Sequence, residues 1–264
     1  MSGASEKLAT LRATLAQAGL ESLVANPHIP LGFAPADATL KGGFQRGTLH
    51  EIFAATGHEA SATGFAAGLA WRVAGKKKIL WIRQDYSALE FGELSATGFL
   101  ELGLDPSRIL LLCTARADDA IKGASDALTC SALGAVVIEI PGEPKILDLV
   151  TSRRLTLAAA QSNVPAFLLR FAAKPQASAA ETRWVIRARA SPTEEVDWGQ
   201  PVFETELVRN RHGRTGHWVM EWNCGEGLFG EPHRGKPAHR FAVVSASGDR
   251  QVAAAMESPR ATFI

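Results

Sequence analysis

The chain has 264 residues, 46% of them hydrophobic and 21% charged, with a formal net charge of +1 at pH 7. That is room for one substantial core with appendages or for two small domains, in a composition ordinary for a soluble globular protein. Near-neutrality excludes the chain as a whole from being an electrostatic magnet for nucleic acid or anionic membrane, so such binding would need local basic patches. The opening residues Met1 to Lys7 lack an apolar run behind a basic segment, and no stretch is apolar for long enough to span a bilayer. Three widely spaced cysteines, Cys113, Cys130 and Cys224, make no disulfide framework. A cytoplasmic protein with free, buried thiols is expected.

In chain order, Leu8, Leu11 and Leu15 fall at helical spacing over 6–18, with Gly19 as the stop. The Pro- and Gly-punctuated stretch Asn26 to Gly47 reads as loop and short turns. Thr48 to Phe53 is a short strand, followed by a small-residue loop around Gly57 and an alanine-rich helix over 60–74. Ile79 to Ile82 and Ile109 to Cys113 are apolar runs of buried-strand type, with a helix over 94–102 between them. Ala117, Ala120, Ile121, Ala124, Leu128 and Ala132 line one face of a helix closed by Gly134. The strand Ala135 to Ile140, a helix over 151–161 and the strand Ala166 to Arg170 complete a β–α alternation, which predicts a mostly parallel sheet covered on both faces. Beyond about Lys174 the rhythm changes. Trp184 to Arg187, Phe203 to Val208 and Trp218 to Trp222 are separated by turns, so antiparallel strands extend one edge of the sheet. From Cys224 on, Gly, Pro and charge dominate, and one strand, Phe241 to Val244, stands out in a loosely ordered tail.

The strand, loop and helix around Gly57 form the setting in which a phosphate loop works. Its amides surround phosphate, its lysine meets the β- and γ-oxygens, and its hydroxyl holds magnesium. Set on G-x-x-x-x-G-K-[ST], only Gly57 survives: Ala62 replaces the second glycine, Thr63 the lysine and Gly64 the hydroxyl. The point charge on the transferred group and one metal ligand are lost. The loop then either holds an anion through its amides and helix dipole or is a plain connection. Glu139 near the end of the strand Ala135 to Ile140 stands where a magnesium-ligating aspartate is expected, although strand ends ordinarily face solvent. Asp85 or its neighbour Gln84 falls where a water-activating carboxylate would lie. The histidines are scattered, without metal-ligand spacing, and Ser61 and Ser152 lack a nucleophile elbow or paired base.

Arginines recur in the second half. Arg153 and Arg154 open a helix, Arg183, Arg187 and Arg189 alternate along a strand, and Arg209, Arg211 and Arg214 surround a Gly-containing turn. They form either a contact patch or a solvated face, and the low net charge favours a solvated face or a protein partner over DNA. Trp184, Trp198, Trp218 and Trp222 gather in the antiparallel part, as core or as an exposed binding anchor.

The segment Leu31 to Ile52, which includes Asp37, Gly42, Gly43 and Gly47, resembles the lead-in to the phosphate loop of RecA-like proteins. The stretch Leu102 to Leu110 with the following helix and strand also resembles RecA, and Arg209 to Gly216 is similar to the basic turn near the end of that core. Closer is the resemblance to the ImuA family, RecA-like relatives grouped with the SulA cell-division inhibitors. It is carried by Gly47-Thr48-Leu49-His50-Glu51, Asp148 to Leu155, Glu181 to Trp184, and Leu207 to Arg214 with Trp218 and Trp222, in order across Leu31 to Trp222. It implies a RecA-like α/β core over 26–224, between an N-terminal helical segment, 1–25, and a tail, 225–264. It also implies a role in DNA-damage-induced mutagenesis beside ImuB, a polymerase-like protein, and an error-prone replicative-type polymerase in translesion synthesis. RecA itself is a further candidate partner, with DNA contact indirect or weak. Degenerate phosphate loops are typical of the family. The expectation is therefore a non-catalytic protein without a cofactor that works through protein contacts; an ATPase with an unorthodox nucleotide site and a SulA-like division inhibitor are the alternatives.

Overall fold

In the computed structural model, residues 28–192 and 199–233 are described. The helix expected over 6–18, Trp198 and the strand at Phe241 to Val244 lie outside them. Among the described residues eleven strands are formed: β1 (His28–Ile29), β2 (Phe44–Gln45), β3 (Leu49–Ala54), β4 (Lys78–Gln84), β5 (Ile109–Thr114), β6 (Leu133–Glu139), β7 (Ala166–Arg170), β8 (Thr182–Arg189), β9 (Val202–Asn210), β10 (Gly216–Asn223) and β11 (Leu228–Gly230). The helices are α1 (Ala34–Thr39), α2 (Glu59–Ala74), α3 (Ser87–Phe91), α4 (Ala96–Glu101), α5 (Ala117–Ala127) and α6 (Leu149–Ser162).

Nine strands make one sheet in the order β11-β10-β9-β8-β3-β7-β6-β4-β5. From β8 to β5 all neighbours are parallel, and β8-β9, β9-β10 and β10-β11 are antiparallel. Strand residues alternate between two cores, which is why the central strands read as unbroken apolar runs. Ile79, Trp81, Ala135 and Val137 face a core filled by α2, whereas Ile82, Val136 and Ile138 face one filled by α5 and α6. Helix α2 is buried along most of its length because alanines let it lie close to the sheet. Gly134 belongs to that contact: a Cβ there would meet the Ala74 Cβ at 2.5 Å. It is thus not a helix stop; α5 ends at Ala127 and Gly134 lies inside β6.

Four other expectations change. The stretch 26–47 contains α1 and the β1-β2 pair, and the Asp37 carboxylate accepts the Leu31 and Gly32 N–H groups at 2.7 and 3.0 Å. Strand β5 is not buried; it is the sheet edge, with Leu110, Leu111 and Leu112 exposed. Cys113 and Cys130 are exposed and Cys224 is half-buried, because β5 has no outer neighbour among the described residues and Cys130 follows the end of α5. The ordered core also passes Cys224, since β11 pairs with β10 and buries Phe229.

Candidate functional site

The connection from β3 to α2 is four residues long, Ala55 to His58, turned by Gly57 at φ +80°. The helix begins at Glu59, so Ala62, Thr63 and Gly64 lie in its opening turns rather than in a loop. Several groups at this connection have internal partners. The Gly57 N–H donates to Glu59 Oε1 at 3.2 Å and the His58 N–H to the Ala55 carbonyl at 2.9 Å. His58 Nδ1 accepts the Ala188 N–H at 3.1 Å. The Thr63 hydroxyl donates back to the Glu59 carbonyl at 3.1 Å, and Ala62 is wholly buried.

Glu139 does not face solvent. Strand β6 is central, flanked by β7 and β4, and Glu139 sits in register with Arg83 of β4. The Arg83 Nη2 to Glu139 Oε1 distance is 2.8 Å, with side-chain exposures of 4% and 1%. Arg83 Nε also donates to Oε1 at 3.2 Å, and Trp81 Nε1 donates to Oε2 at 3.0 Å. Both carboxylate oxygens are therefore taken, and the charge that would balance magnesium is balanced by a guanidinium of the same chain. Arg83 Nη2 further donates to the Gly92 carbonyl at 3.0 Å, and Nη1 is buried without a partner among the described residues. Asp85 is exposed beyond the end of β4 and its neighbour Gln84 is buried.

A cavity of about 250 Å³ opens beside the start of α2, with Thr63, Gly64, Arg83, Phe91, Phe99 and Phe171 in its wall. The sequence reading did not single out Arg83. Its signal is a cation directly after the apolar run of β4, in a strand parallel to the one that ends in Glu139.

The arginines divide by role. Arg183 is buried and pairs with Glu51 at 2.7 Å. Arg187 and Arg189 share its strand face but meet Glu206 at 3.5 Å and Glu204 at 3.4 Å across to β9, so that face is largely neutralised. Arg209 Nη1 donates to the Ser178 carbonyl at 2.9 Å and Arg211 Nη1 to the Ala179 carbonyl at 3.3 Å. Ser152 Oγ of α6 accepts the Ala179 N–H at 2.9 Å, so the segment 178–179 ties the turn of α6 that carries Arg153 and Arg154 to the Arg209–Arg211 end of β9. Arg153 and Arg154 are exposed on α6 with Val150 and Leu157, which are 53% and 65% exposed, and Arg211 and Arg214 are exposed beyond the end of β9. Trp184 and Trp222 are core residues. Among the described residues no three His, Cys, Asp or Glu side chains gather to hold a metal.

The fold is RecA-like. The crystal structure of the RadB recombinase superposes on it with a TM-score of 0.54 at 16% identity, over 78% of this chain and 100% of that one. The chain is 28% identical over 233 residues to Protein ImuA of Caulobacter vibrioides strain NA1000 / CB15N, and equally to that of strain ATCC 19089 / CIP 103742 / CB 15, covering 81% of this chain and 87% of each relative. No family model matches it.

Proposed function

We propose that this chain is a RecA-fold accessory protein of DNA-damage-induced mutagenesis that does not hydrolyse ATP and acts by binding polymerase-like partners. The observation that carries the non-hydrolysing reading is the Arg83–Glu139 pair. In a magnesium-dependent site the strand-end carboxylate must be free to approach a cation. Here it is enclosed with a guanidinium at 2.8 Å, and Thr63 supplies no charge in place of the lysine. What remains of such a fold without ATP chemistry is docking surface, including the exposed arginines and apolar residues of α6. The family resemblance supports an ImuB-like partner in an error-prone polymerase assembly, with RecA as a further candidate.

Purified protein is expected to release no phosphate from ATP above a protein-free blank, and to capture an ImuB-like partner equally well with and without ATP. Deleting the gene is expected to lower damage-induced point mutation while undamaged growth stays near normal. ATP turnover that vanishes in a folded Glu139→Gln variant would promote the ATPase reading. Overproduction that blocks septation without changing mutagenesis would promote the division-inhibitor reading.

A further inference from the structure

Two exposed surfaces of this chain are opposite in charge and alike in carrying uncovered apolar side chains. On α6, Val150, Arg153, Arg154 and Leu157 fall at i, i+3, i+4 and i+7, so they share one face, and all four are exposed. Helix α6 contains no Asp or Glu, and neither arginine makes an ion pair or side-chain hydrogen bond among the described residues. Arg83, Arg116, Arg183, Arg187 and Arg189, by contrast, all meet carboxylates. The β4–β5 connection is the reverse case. From Asp85 to Glu101 it holds four carboxylates, Asp85, Glu90, Glu93 and Glu101, and no Lys or Arg. All four residues are exposed and none is in an ion pair among the described residues. Among them, Leu89 of α3 and Leu100 of α4 are 88% and 62% exposed. Phe99 of α4 packs in the core shared with α2, whereas Leu155 and Ala159 of α6 pack in the core on the other face of the sheet. The sheet stands between the two surfaces, so within one chain they do not meet.

We propose that these surfaces are the two halves of one contact, in which α6 of one copy docks on the 85–101 connection of a second copy of this chain. Each surface supplies what the other lacks. The arginines of α6 gain carboxylates, and Val150 and Leu157 cover Leu89 and Leu100, which removes apolar area from water on both sides. Pairing like with like is disfavoured: α6 against α6 sets arginine against arginine, and the connection against itself sets carboxylate against carboxylate. The contact is therefore head to tail, and each copy keeps one surface of each kind free, so association runs past the dimer unless a ring closes. A net charge of +1 leaves little long-range repulsion between approaching copies. DNA fits α6 less well, because phosphates would pair with Arg153 and Arg154 but leave Val150 and Leu157 on the same face uncovered. The inference goes beyond the accessory role and does not depend on it, since both members of the contact are this chain.

The test is sedimentation of the purified full chain at low salt, from micromolar to millimolar concentration. The wild type is expected to rise above monomer mass with concentration and to pass the dimer. Arg153→Glu with Arg154→Glu makes both surfaces acidic, and Glu90→Lys with Glu93→Lys makes the connection basic like α6. Each double variant alone should associate about tenfold more weakly or worse, as like charges set together require. Mixed in equal amounts, the two should associate again, because each then meets its opposite. Urea midpoints check that both stay folded. If a reversal disturbs the fold, Arg153→Gln with Arg154→Gln, which only deletes charge, should still weaken association. A wild type that stays monomeric, variants that associate as the wild type does, or a mixture that fails to re-associate would each overturn the contact. A monomeric wild type that binds a random-sequence DNA duplex, with binding lost in Arg153→Glu/Arg154→Glu, would give the α6 face to nucleic acid instead. Capture of a polymerase-like partner bears on the accessory role alone, and its failure leaves the self-association result standing.

Discussion

Arg83 and Glu139 form a pair whose two members cannot be removed singly at low cost. Taking away the carboxylate leaves a buried, uncompensated guanidinium, and Glu139→Ala is expected to destabilise the fold by about 3–5 kcal/mol. Arg83→Met combined with Glu139→Gln removes both charges and keeps an acceptor for Trp81 Nε1, so the double variant should be more stable than the single one. Urea midpoints at constant m-value decide this, and a double variant less stable than Glu139→Ala would mean the pair is not what holds these strand ends. His50 makes a pH prediction. It is fully buried between Thr48, Thr182 and the Gln45 carbonyl, and burial lowers its pKa from 6.5 to about 4. A carbonyl only accepts, so Nε2 carries the proton and Nδ1 accepts from the Thr182 hydroxyl, which in turn accepts the Trp184 Nε1–H. The native state keeps this ring neutral while the unfolded chain protonates near 6.5. Its contribution is therefore present above pH 6.5 and lost as pH falls toward 4, with a full size on the order of 3 kcal/mol. Unfolding free energies at pH 7, 5.5 and 4.5 should decline more steeply in the wild type than in His50→Gln; parallel declines would assign the loss to other groups.

At the scale of elements, the segment 178–179 shows how a motif that reads as a contact becomes partly structural. Arg209 and Arg211 project from the end of β9 and the residue after it to carbonyls that have no strand of their own to pair with. Arg209→Ala with Arg211→Ala is expected to keep the fold but to lower stability by about 1–3 kcal/mol, as lost hydrogen bonds to partly buried carbonyls cost. It should also speed proteolytic cleavage within 175–181. An unchanged midpoint with reduced partner capture would instead make both residues contact groups alone. Strand β5 shows the opposite case. Ile109 to Cys113 is as apolar as β4 and β6, yet among the described residues it lies at the sheet edge, with its outer backbone unpaired by another strand and three leucines exposed. Apolar composition signals strand, and only neighbours decide burial.

For the whole molecule, the sheet closes later in the chain than composition suggests. Phe229 of β11 is 1% exposed and packs on Trp222, Phe65 and Phe203 at centroid distances of 4.8, 5.1 and 6.3 Å. It joins the antiparallel extension to α2, the helix at the middle of the same core. Phe229→Ala should cost about 3–5 kcal/mol in calorimetry or urea unfolding. A loosely ordered tail would give a change within about 0.5 kcal/mol, the size of a surface substitution.

What the amino-acid order determined by itself is what depends on near neighbours. Strand and helix alternation from Thr48 to Arg170 is written in local periodicity, and so is the switch to antiparallel strands after Lys174. The missing lysine at Thr63 is likewise a covalent fact that no folding changes, and the ImuA resemblance rests on residues in linear order. The tertiary structure decided the rest. Arg83 meets Glu139 across 56 residues because β4 and β6 lie side by side in a parallel sheet, an adjacency that neither strand encodes alone. The same lateral order put β5 at the rim, exposed Cys113, brought Ser152 and Arg209 to one short segment, and left a cavity where three phenylalanines from separate stretches converge. Such pairings follow from long-range packing of whole elements, whose free energy belongs to the assembled core and to no local window of sequence.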